Sequence, residues 1–165
     1  MVLPGKQAAI FTKALTQLDT TIAEMRRVAH SMMPEALIRF DLTEAIRDYC
    51  DGINESNIIK MKFTQIGLPL QLEQSTQVVF YRIIQELANN AVKHAGAKNI
   101  FVQLDKHKQG ITLTVEDDGR GFDTNMVTRG AGLKNVQSRV DYLKGSMEIN
   151  STPEDGSAFI VEIPL

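Results

Sequence analysis

Two short segments in which apolar and polar residues alternate constrain the fold of this chain most strongly. The apolar positions are Ile100, Val102 and Leu104 in the first segment and Ile111, Leu113 and Val115 in the second. A period of two is typical of a strand that buries one face. Residues 106–110 separate the two segments and are short enough for a hairpin turn. The pattern therefore predicts two paired strands with one face in the core.

Helices and further strands flank this hairpin. The predicted helices are residues 72–95 and 133–143, and the other predicted strands are residues 58–66, 147–149 and 159–163. Gly96 and Gly145 follow the two helices, as helix terminators often do. Ile58, Met61 and Phe63 are the candidate core residues of the first strand. This order of elements predicts an α+β fold, in which helices cover one face of a mixed sheet.

A long helix is predicted at the start of the chain, over residues 7–33. Its apolar residues recur at steps of four and three: Phe11, Leu15, Leu18, Ile22, Met25, Ala29 and Met32. So narrow an apolar stripe is typical of a helical bundle, here between two chains, although packing on the chain's own domain is the alternative. Pro34 stops the helix. A second helix is predicted over residues 42–54, with Asp41 or Thr43 as its cap.

Composition excludes several classes of protein. The 165 residues carry a net charge of −2, which gives no general attraction to nucleic acid or anionic membrane. No apolar run approaches the roughly 20 residues that span a bilayer. The single cysteine, Cys50, excludes an internal disulfide and suits a reducing compartment. We therefore expect this region to be cytoplasmic, although the full-length protein could still be membrane-anchored. Pro34 divides the region into residues 1–34 and a domain of residues 35–165.

The helix over residues 72–95 carries the first segment with chemical potential. Glu86, Asn90 and Lys93 are spaced by four and three residues, so they share one helix face. A carboxylate can accept a proton, an amide oxygen suits magnesium, and an ammonium can meet phosphate oxygens. The alternative is a solvated helix face with an i,i+4 pair.

Two glycine-containing segments follow. Asp117 ends an alternating strand, and Gly119 and Gly121 remove side chains from one wall, so that a flat ring could approach while the carboxylate accepts a hydrogen bond from an amine. Gly130 and Gly132 directly precede a helix, whose free amides and dipole favour phosphate. The alternatives are an ordinary turn in the first segment and a helix cap in the second.

Taken together and in this order, the three segments resemble the GHKL ATPase superfamily, and within it the catalytic domain of two-component sensor histidine kinases. Residues 86–95 resemble its asparagine box, residues 117–121 its Asp-x-Gly-x-Gly box, and residues 130–133 its Gly-x-Gly-Leu box. Residues 156–159 resemble its last glycine box. The likeness covers roughly residues 44–165 and is greatest to the subfamily of nitrate-sensor and desaturase-regulating kinases.

This resemblance implies a Bergerat sandwich that binds ATP and Mg²⁺. Glu86 would be the catalytic carboxylate, Asn90 would hold the magnesium that bridges the phosphates, and Asp117 would bind the adenine amine. The implied ATP-binding residues are Asn90, Lys93, His94, Asp117, Gly119, Gly121, Phe122, Gly130, Gly132, Leu133 and Gly156. Residues 122–129 would form a short lid that nucleotide orders.

His30 invites assignment as the phosphorylated histidine, because it lies four residues before Pro34. Ser31, however, stands where such acceptors usually carry Glu or Asp, and no second long helix follows. The resemblance implies instead that residues 1–34 are the second helix of a dimerisation hairpin. We therefore predict that the acceptor lies outside this chain, that the chain alone cannot phosphorylate itself, and that its partners are a second copy and a response regulator.

Two other functions fit parts of the pattern. An anti-sigma-type serine kinase shares the implied fold but generally lacks a long heptad helix in front. A non-catalytic nucleotide-binding module would not need Glu86 and Asn90, and both are present. Transfer of the gamma phosphoryl group of ATP to a histidine, for relay to an aspartate, is therefore the favoured prediction.

Overall fold

The structure is a computed structural model that describes residues 34–124 and 130–164, together with the isolated Leu15. The predicted helix over residues 7–33 therefore lies outside the described residues apart from Leu15, and His30 lies outside them too. So do five residues of the predicted lid, 125–129.

Helices and strands alternate along the described chain. In order they are α1 (Glu35–Arg39), α2 (Leu42–Asn54), β1 (Lys60–Gly67), α3 (Gln74–Asn90), a π-helical turn (Ala91–Ala95), β2 (Asn99–His107), β3 (Gly110–Asp117), α4 (Ala131–Tyr142), β4 (Ser146–Ser151) and β5 (Ser157–Pro164). The Asp41 side chain caps α2 by accepting a hydrogen bond from the Glu44 amide at 2.9 Å. None of the helices described here is both long and apolar enough to cross a bilayer.

Within the described residues, five strands form one sheet in the order β1-β2-β3-β5-β4. β1 and β2 are parallel, and every other neighbouring pair is antiparallel. The register places Val102, Val115 and Phe159 side by side on the face that the helices cover, and all three are buried. Phe101, on the opposite face, is 46% exposed. The predicted α+β class, a mixed sheet with helices on one face, is confirmed.

Two boundaries differ from the sequence predictions. Ile58 is 78% exposed, so its assignment to the core was wrong, and Ile59 is the buried residue at that point. The cause is local, because the Asn54 side chain donates to the Met61 carbonyl at 3.0 Å and accepts from the Met61 amide at 2.7 Å. Those bonds fix the phase of β1, which begins at Lys60. The short helix α1 follows Pro34 where no helix was predicted, and it buries Leu37.

Candidate functional site

A cavity of about 490 Å³ opens between α3, the end of β3 and the start of α4, a size typical of small-molecule sites. Its lining residues are Glu86, Asn90, Ala91, His94, Ala95, Asp117, Arg120, Gly121, Phe122, Gly130, Ala131, Gly132, Leu133, Ser157 and Phe159. Three segments that are far apart in the sequence therefore meet around one space. Of the predicted site residues, Lys93, Gly119 and Gly156 are not part of this lining.

Asp117 lies on the buried face of the sheet at the end of β3. The register pairs Asp117 with Ser157 of β5, and Ser157 in turn with Ser151 of β4. The Ser157 hydroxyl hydrogen-bonds to the Asp117 carboxylate, and the Ser157 and Ser151 hydroxyl oxygens are 3.1 Å apart. Ser151 Oγ also accepts from the Phe122 amide at 2.9 Å. A polar network thus extends across three strands at the end of the core.

The two neighbouring carboxylates, Asp117 and Asp118, have opposite environments. Burial raises the pKa of Asp117, although hydrogen bonds from the Gly119 amide and the Ser157 hydroxyl lower it in part. Hydrogen bonds from the Asn99 amide, the Asn99 side chain and the Lys98 amide lower the pKa of Asp118. Asp118 therefore ties the loop to the start of β2, whereas Asp117 faces the cavity and is free to accept a hydrogen bond there.

The loop after β3 is attached to the end of the helical segment. The Arg120 amide donates to the Ala95 carbonyl at 2.9 Å. A Cβ on Gly119 would overlap Ala95 Cβ and lie 2.7 Å from the Ala95 carbonyl oxygen. Gly119 is therefore required by this backbone contact, and the prediction that it clears a wall for a flat ring gives the wrong physical reason for it. The contact fixes Asp117 relative to the helix that carries Asn90.

Gly121 and Gly156 have a similar structural cause. Their φ angles of +57° and +71° lie in the left-handed region that disfavours other residues. A Cβ on Gly121 would collide with the Thr152 carbonyl oxygen, and one on Gly156 with the Asp117 carbonyl oxygen. Gly156 thus lies outside the cavity lining and supports it by packing against the end of β3, whereas Gly121 is itself part of the lining.

The π-helical turn changes which side chain of the asparagine segment reaches the cavity. The amide of Gly96 donates to the carbonyl of Ala91, five residues earlier, so the turn is wider than an α-helical one. In a wider turn the fourth residue after Asn90, rather than the third, returns to the same face. Accordingly His94 lines the cavity, whereas Lys93 is exposed outside its lining. Of the predicted common face, Glu86 and Asn90 are therefore part of the cavity lining and Lys93 is not.

The other end of the cavity is formed by α3 and the N-terminus of α4. A Cβ on Gly132 would overlap Glu86 Oε1, so a larger residue would require the Glu86 carboxylate to move, whereas Asn90 Nδ2 would lie 3.5 Å away at ordinary contact. Gly130 caps α4 without a side-chain hydrogen bond. The first amides of α4 therefore have no partner within the helix and can donate to an anion.

Phe122 and Leu133 provide apolar walls. The Phe122 and Phe159 rings are 6.5 Å apart between centroids, at a tilt of 36°. The lining thus combines these apolar side chains with the polar side chains of Asp117, Glu86 and Asn90, as small-molecule sites commonly do.

Among residues 34–124 and 130–164, no three His, Cys, Asp or Glu side chains are grouped so that they could hold a metal ion. Asn90 lines the cavity, and a side-chain amide oxygen is a group that magnesium accepts as a ligand.

Ser157, Ser151 and Arg120 were not among the predicted site residues. Ser157 precedes an apolar strand pattern, but its pairing with Asp117 follows from the β3–β5 register. Arg120 lies between two predicted glycines, so proximity in the sequence was the available signal.

The family model described as "Histidine kinase-, DNA gyrase B-, and HSP90-like ATPase" matches residues 75–165 of the chain. The signal transduction histidine-protein kinase/phosphatase DegS of Brevibacillus brevis is 30% identical over 149 residues, which cover 90% of this chain and 39% of DegS. The sensor histidine kinase MctS of Rhizobium johnstonii is 32% identical over 161 residues, covering 95% of this chain and 35% of MctS. The chain thus spans little more than a third of these relatives.

Solved structures carry the same fold. The histidine kinase domain of the Erythrobacter litoralis EL346 blue-light activated histidine kinase superposes with a TM-score of 0.62 at 22% identity, over 76% of this chain and 62% of that one. The Acinetobacter baumannii histidine kinase AdeS gives 0.60 at 15% identity, over 99% and 86%. At these identities the likeness concerns the fold alone.

Proposed function

The chain belongs to the family of histidine kinase-, DNA gyrase B- and HSP90-like ATPases, and from this premise we propose that it is the ATP-binding catalytic region of a two-component sensor histidine kinase. Its reaction is transfer of the gamma phosphoryl group of ATP to a histidine, from which a response regulator aspartate receives it. The sensor histidine kinases DegS and MctS support this assignment, because their similarity extends over nine-tenths or more of the chain.

One observation carries the proposal: the two ends of the cavity have complementary chemistry. At one end Asp117, with Ser157 beside it, lines the cavity with a carboxylate that can accept a hydrogen bond from the amine of adenine. At the other end Glu86 and Asn90 lie against Gly132 at the free N-terminus of α4, where phosphates receive amide hydrogen bonds. The apolar wall of Phe122 and Leu133 lies among these residues in the lining.

Catalysis in this arrangement consists mainly of positioning and charge neutralisation. Glu86, next to the phosphate end, orients the acceptor imidazole and accepts its proton as the nitrogen attacks the gamma phosphorus. The bond from the gamma phosphorus to the oxygen that bridges it to the beta phosphate breaks at the same time, and ADP leaves. The amide oxygen of Asn90 would hold magnesium, and the ion would supply neutralisation of phosphate charge. His94 lines the cavity as a further donor to the nucleotide. Lys93, Gly119 and Gly156 support the site from outside its lining.

The proposal includes partners beyond the described residues. Residues 1–34 form the second helix of a dimerisation hairpin that joins two copies, and residues 35–165 form the ATP domain. The acceptor histidine lies outside these 165 residues and is not His30. Residues 122–129 form the lid, and the relationship to nitrate-sensor and desaturase-regulating kinases belongs to the same proposal.

A labelling experiment tests the proposed reaction. The chain is incubated with Mg²⁺ and ATP labelled at the gamma phosphate, alone and with the dimerisation hairpin of its parent protein. We expect acid-labile, base-stable label only on the added hairpin. Glu86→Gln abolishes this label, while His30→Ala retains it. Asn89→Ala, at an exposed neighbour of Asn90 outside the cavity lining, is the matched control for Asn90→Ala, which loses Mg²⁺-dependent ATP binding.

Two outcomes contradict specific parts of the proposal. Acid-labile label on the isolated chain that disappears in His30→Ala would overturn the assignment of the acceptor. Acid-stable label on a serine of a partner protein would replace the histidine kinase with the serine kinase of the same fold.

A further inference from the structure

Arg120 is held at the cavity by its backbone and not by its side chain. Its amide donates to the Ala95 carbonyl at 2.9 Å, and its carbonyl accepts from the Glu154 amide at 2.7 Å. Both backbone groups are therefore occupied, and the residue is fixed between the helical segment and the β4–β5 turn. The guanidinium takes no part in these bonds, so it is available for another role.

Among the described residues, the guanidinium of Arg120 has no ion-pair partner. Arg120 lines the cavity beside His94 and Ala95, and its side chain is exposed. Across residues 34–124 and 130–164, no carboxylate lies within ion-pair distance of it. Surface arginines are commonly solvated, but this one stands at a cavity whose lining combines apolar side chains with the polar side chains of Glu86, Asn90, His94, Asp117 and Ser157.

The position of Arg120 along the cavity distinguishes the base from the phosphates as its target. It follows Asp117 by three residues and contacts Ala95. The phosphate end is defined by Asn90 and Gly132, and Asn90 precedes Ala95 by five residues, which is more than one turn of the helical segment. Arg120 therefore lies at the purine end. A planar guanidinium stacks on the face of an aromatic system more effectively than an ammonium does.

We propose that Arg120 is a further nucleotide-binding residue, whose guanidinium covers the exposed face of the adenine ring at the mouth of the cavity. This inference rests on the proposed function, because it needs adenine to lie against Asp117. It assigns Arg120 to recognition of the base, and it leaves the phosphates to Asn90 and the N-terminus of α4.

Calorimetric titration of ATP and ADP into the wild-type chain, Arg120→Ala and Arg120→Lys tests the inference. We expect a roughly fivefold loss of affinity in Arg120→Ala, equal for the two nucleotides because they share the base. Arg120→Lys keeps the positive charge but replaces the planar guanidinium with an ammonium, so we expect its affinity for both nucleotides to stay close to that of Arg120→Ala. Arg39→Ala removes the same charge outside the cavity lining and leaves affinity unchanged.

Several results would overturn the inference and can be told apart from failure of the proposed function. Affinity within twofold of wild type in Arg120→Ala, recovery in Arg120→Lys, or a loss that grows from ADP to ATP each exclude base stacking. If Asp117→Ala still abolishes binding in those cases, the proposed function stands and only the role of Arg120 is wrong. If the wild-type chain binds neither ATP nor ADP, the proposed function and the role of Arg120 are both wrong. Urea unfolding checks that the variants fold, as expected because the two Arg120 bonds involve backbone atoms alone.

Discussion

The contact between Gly119 and Ala95 leads to a quantitative prediction for Gly119→Ala. The new Cβ would overlap Ala95 Cβ and come within 2.7 Å of both the Ala95 carbonyl oxygen and Asp117 Oδ1, where ordinary contact begins at 3.4 Å. Two of these atoms belong to a backbone carbonyl and a one-carbon side chain, which cannot rotate away. The loop must therefore separate from the helix end.

The cost of that separation follows from the atoms involved. Overpacking of a close contact costs about 1–3 kcal/mol, and weakening the 2.9 Å bond from the Arg120 amide to Ala95 adds about 1 kcal/mol. We expect the free energy of unfolding to fall by about 2–4 kcal/mol. Displacement of Asp117 Oδ1 also removes a hydrogen bond to a charged group, which lowers ATP affinity by roughly tenfold or more.

Urea unfolding and calorimetric ATP titration measure the two effects of Gly119→Ala. Gly52→Ala is the matched control, because no atom lies within 4 Å of its added Cβ and it sits inside α2. Alanine is the better helix former, so we expect Gly52→Ala to stabilise the fold by up to about 1 kcal/mol without changing ATP affinity. A Gly119→Ala protein whose stability stays within 0.5 kcal/mol (about the error of such measurements) would refute the proposed contact.

Three further predictions concern the polar groups of the site. Asp118→Asn lowers the free energy of unfolding by about 1 kcal/mol at neutral pH, after allowance for solvent screening. Hydrogen bonds lower the pKa of Asp118, so this difference in stability towards urea disappears as the pH falls through that lowered pKa. A difference that persists in acid would contradict the role assigned to Asp118. Ser157→Ala removes a bond that lowers the pKa of Asp117, so the acid midpoint of ATP binding moves to higher pH; an unchanged midpoint would exclude that bond. His94→Ala weakens ATP binding by about fivefold and Lys93→Ala by less than twofold, as one lost hydrogen bond implies; the reverse order in calorimetry would show that the π-helical turn does not select His94.

Most strands and helices could be predicted from local hydropathy patterns, because those patterns indicate which residues are buried. The alternation at Ile100 and Ile111 is repeated in the buried face of β2 and β3. Asp41 was predicted as one of two possible caps, and the structure shows its carboxylate accepting the Glu44 amide. These features depend on neighbours a few residues away, so the sequence alone was sufficient.

Features that depend on distant partners could not be predicted. Whether Ile58 or Ile59 turns inward is decided by Asn54, whose side chain brackets the Met61 backbone. Ser157 acts in the site because the register of β5 with β3 pairs it with Asp117, which lies 40 residues earlier in the chain. Hydropathy does not encode the register between strands so far apart in the sequence.

The π-helical turn shows a different limit. Extending α-helical spacing from Glu86 through Asn90 to Lys93 was reasonable up to Asn90, where α3 ends. Beyond it, packing of Ala95 against the loop after β3 favours the wider turn. Residues of all three motifs line the cavity. Of Lys93 and His94, both predicted as ATP-binding, His94 is part of the lining and Lys93 is not.

Calorimetric titration of ATP into the wild-type chain and into Asp117→Ala tests the central claim most directly. We predict one ATP bound per wild-type chain, and no measurable binding in Asp117→Ala. GTP, which carries a carbonyl where adenine has its amine, is expected to bind far more weakly to the wild type. Equal ATP affinity in the wild type and in Asp117→Ala, with both proteins folded, would contradict the assignment of this cavity as an adenine nucleotide site.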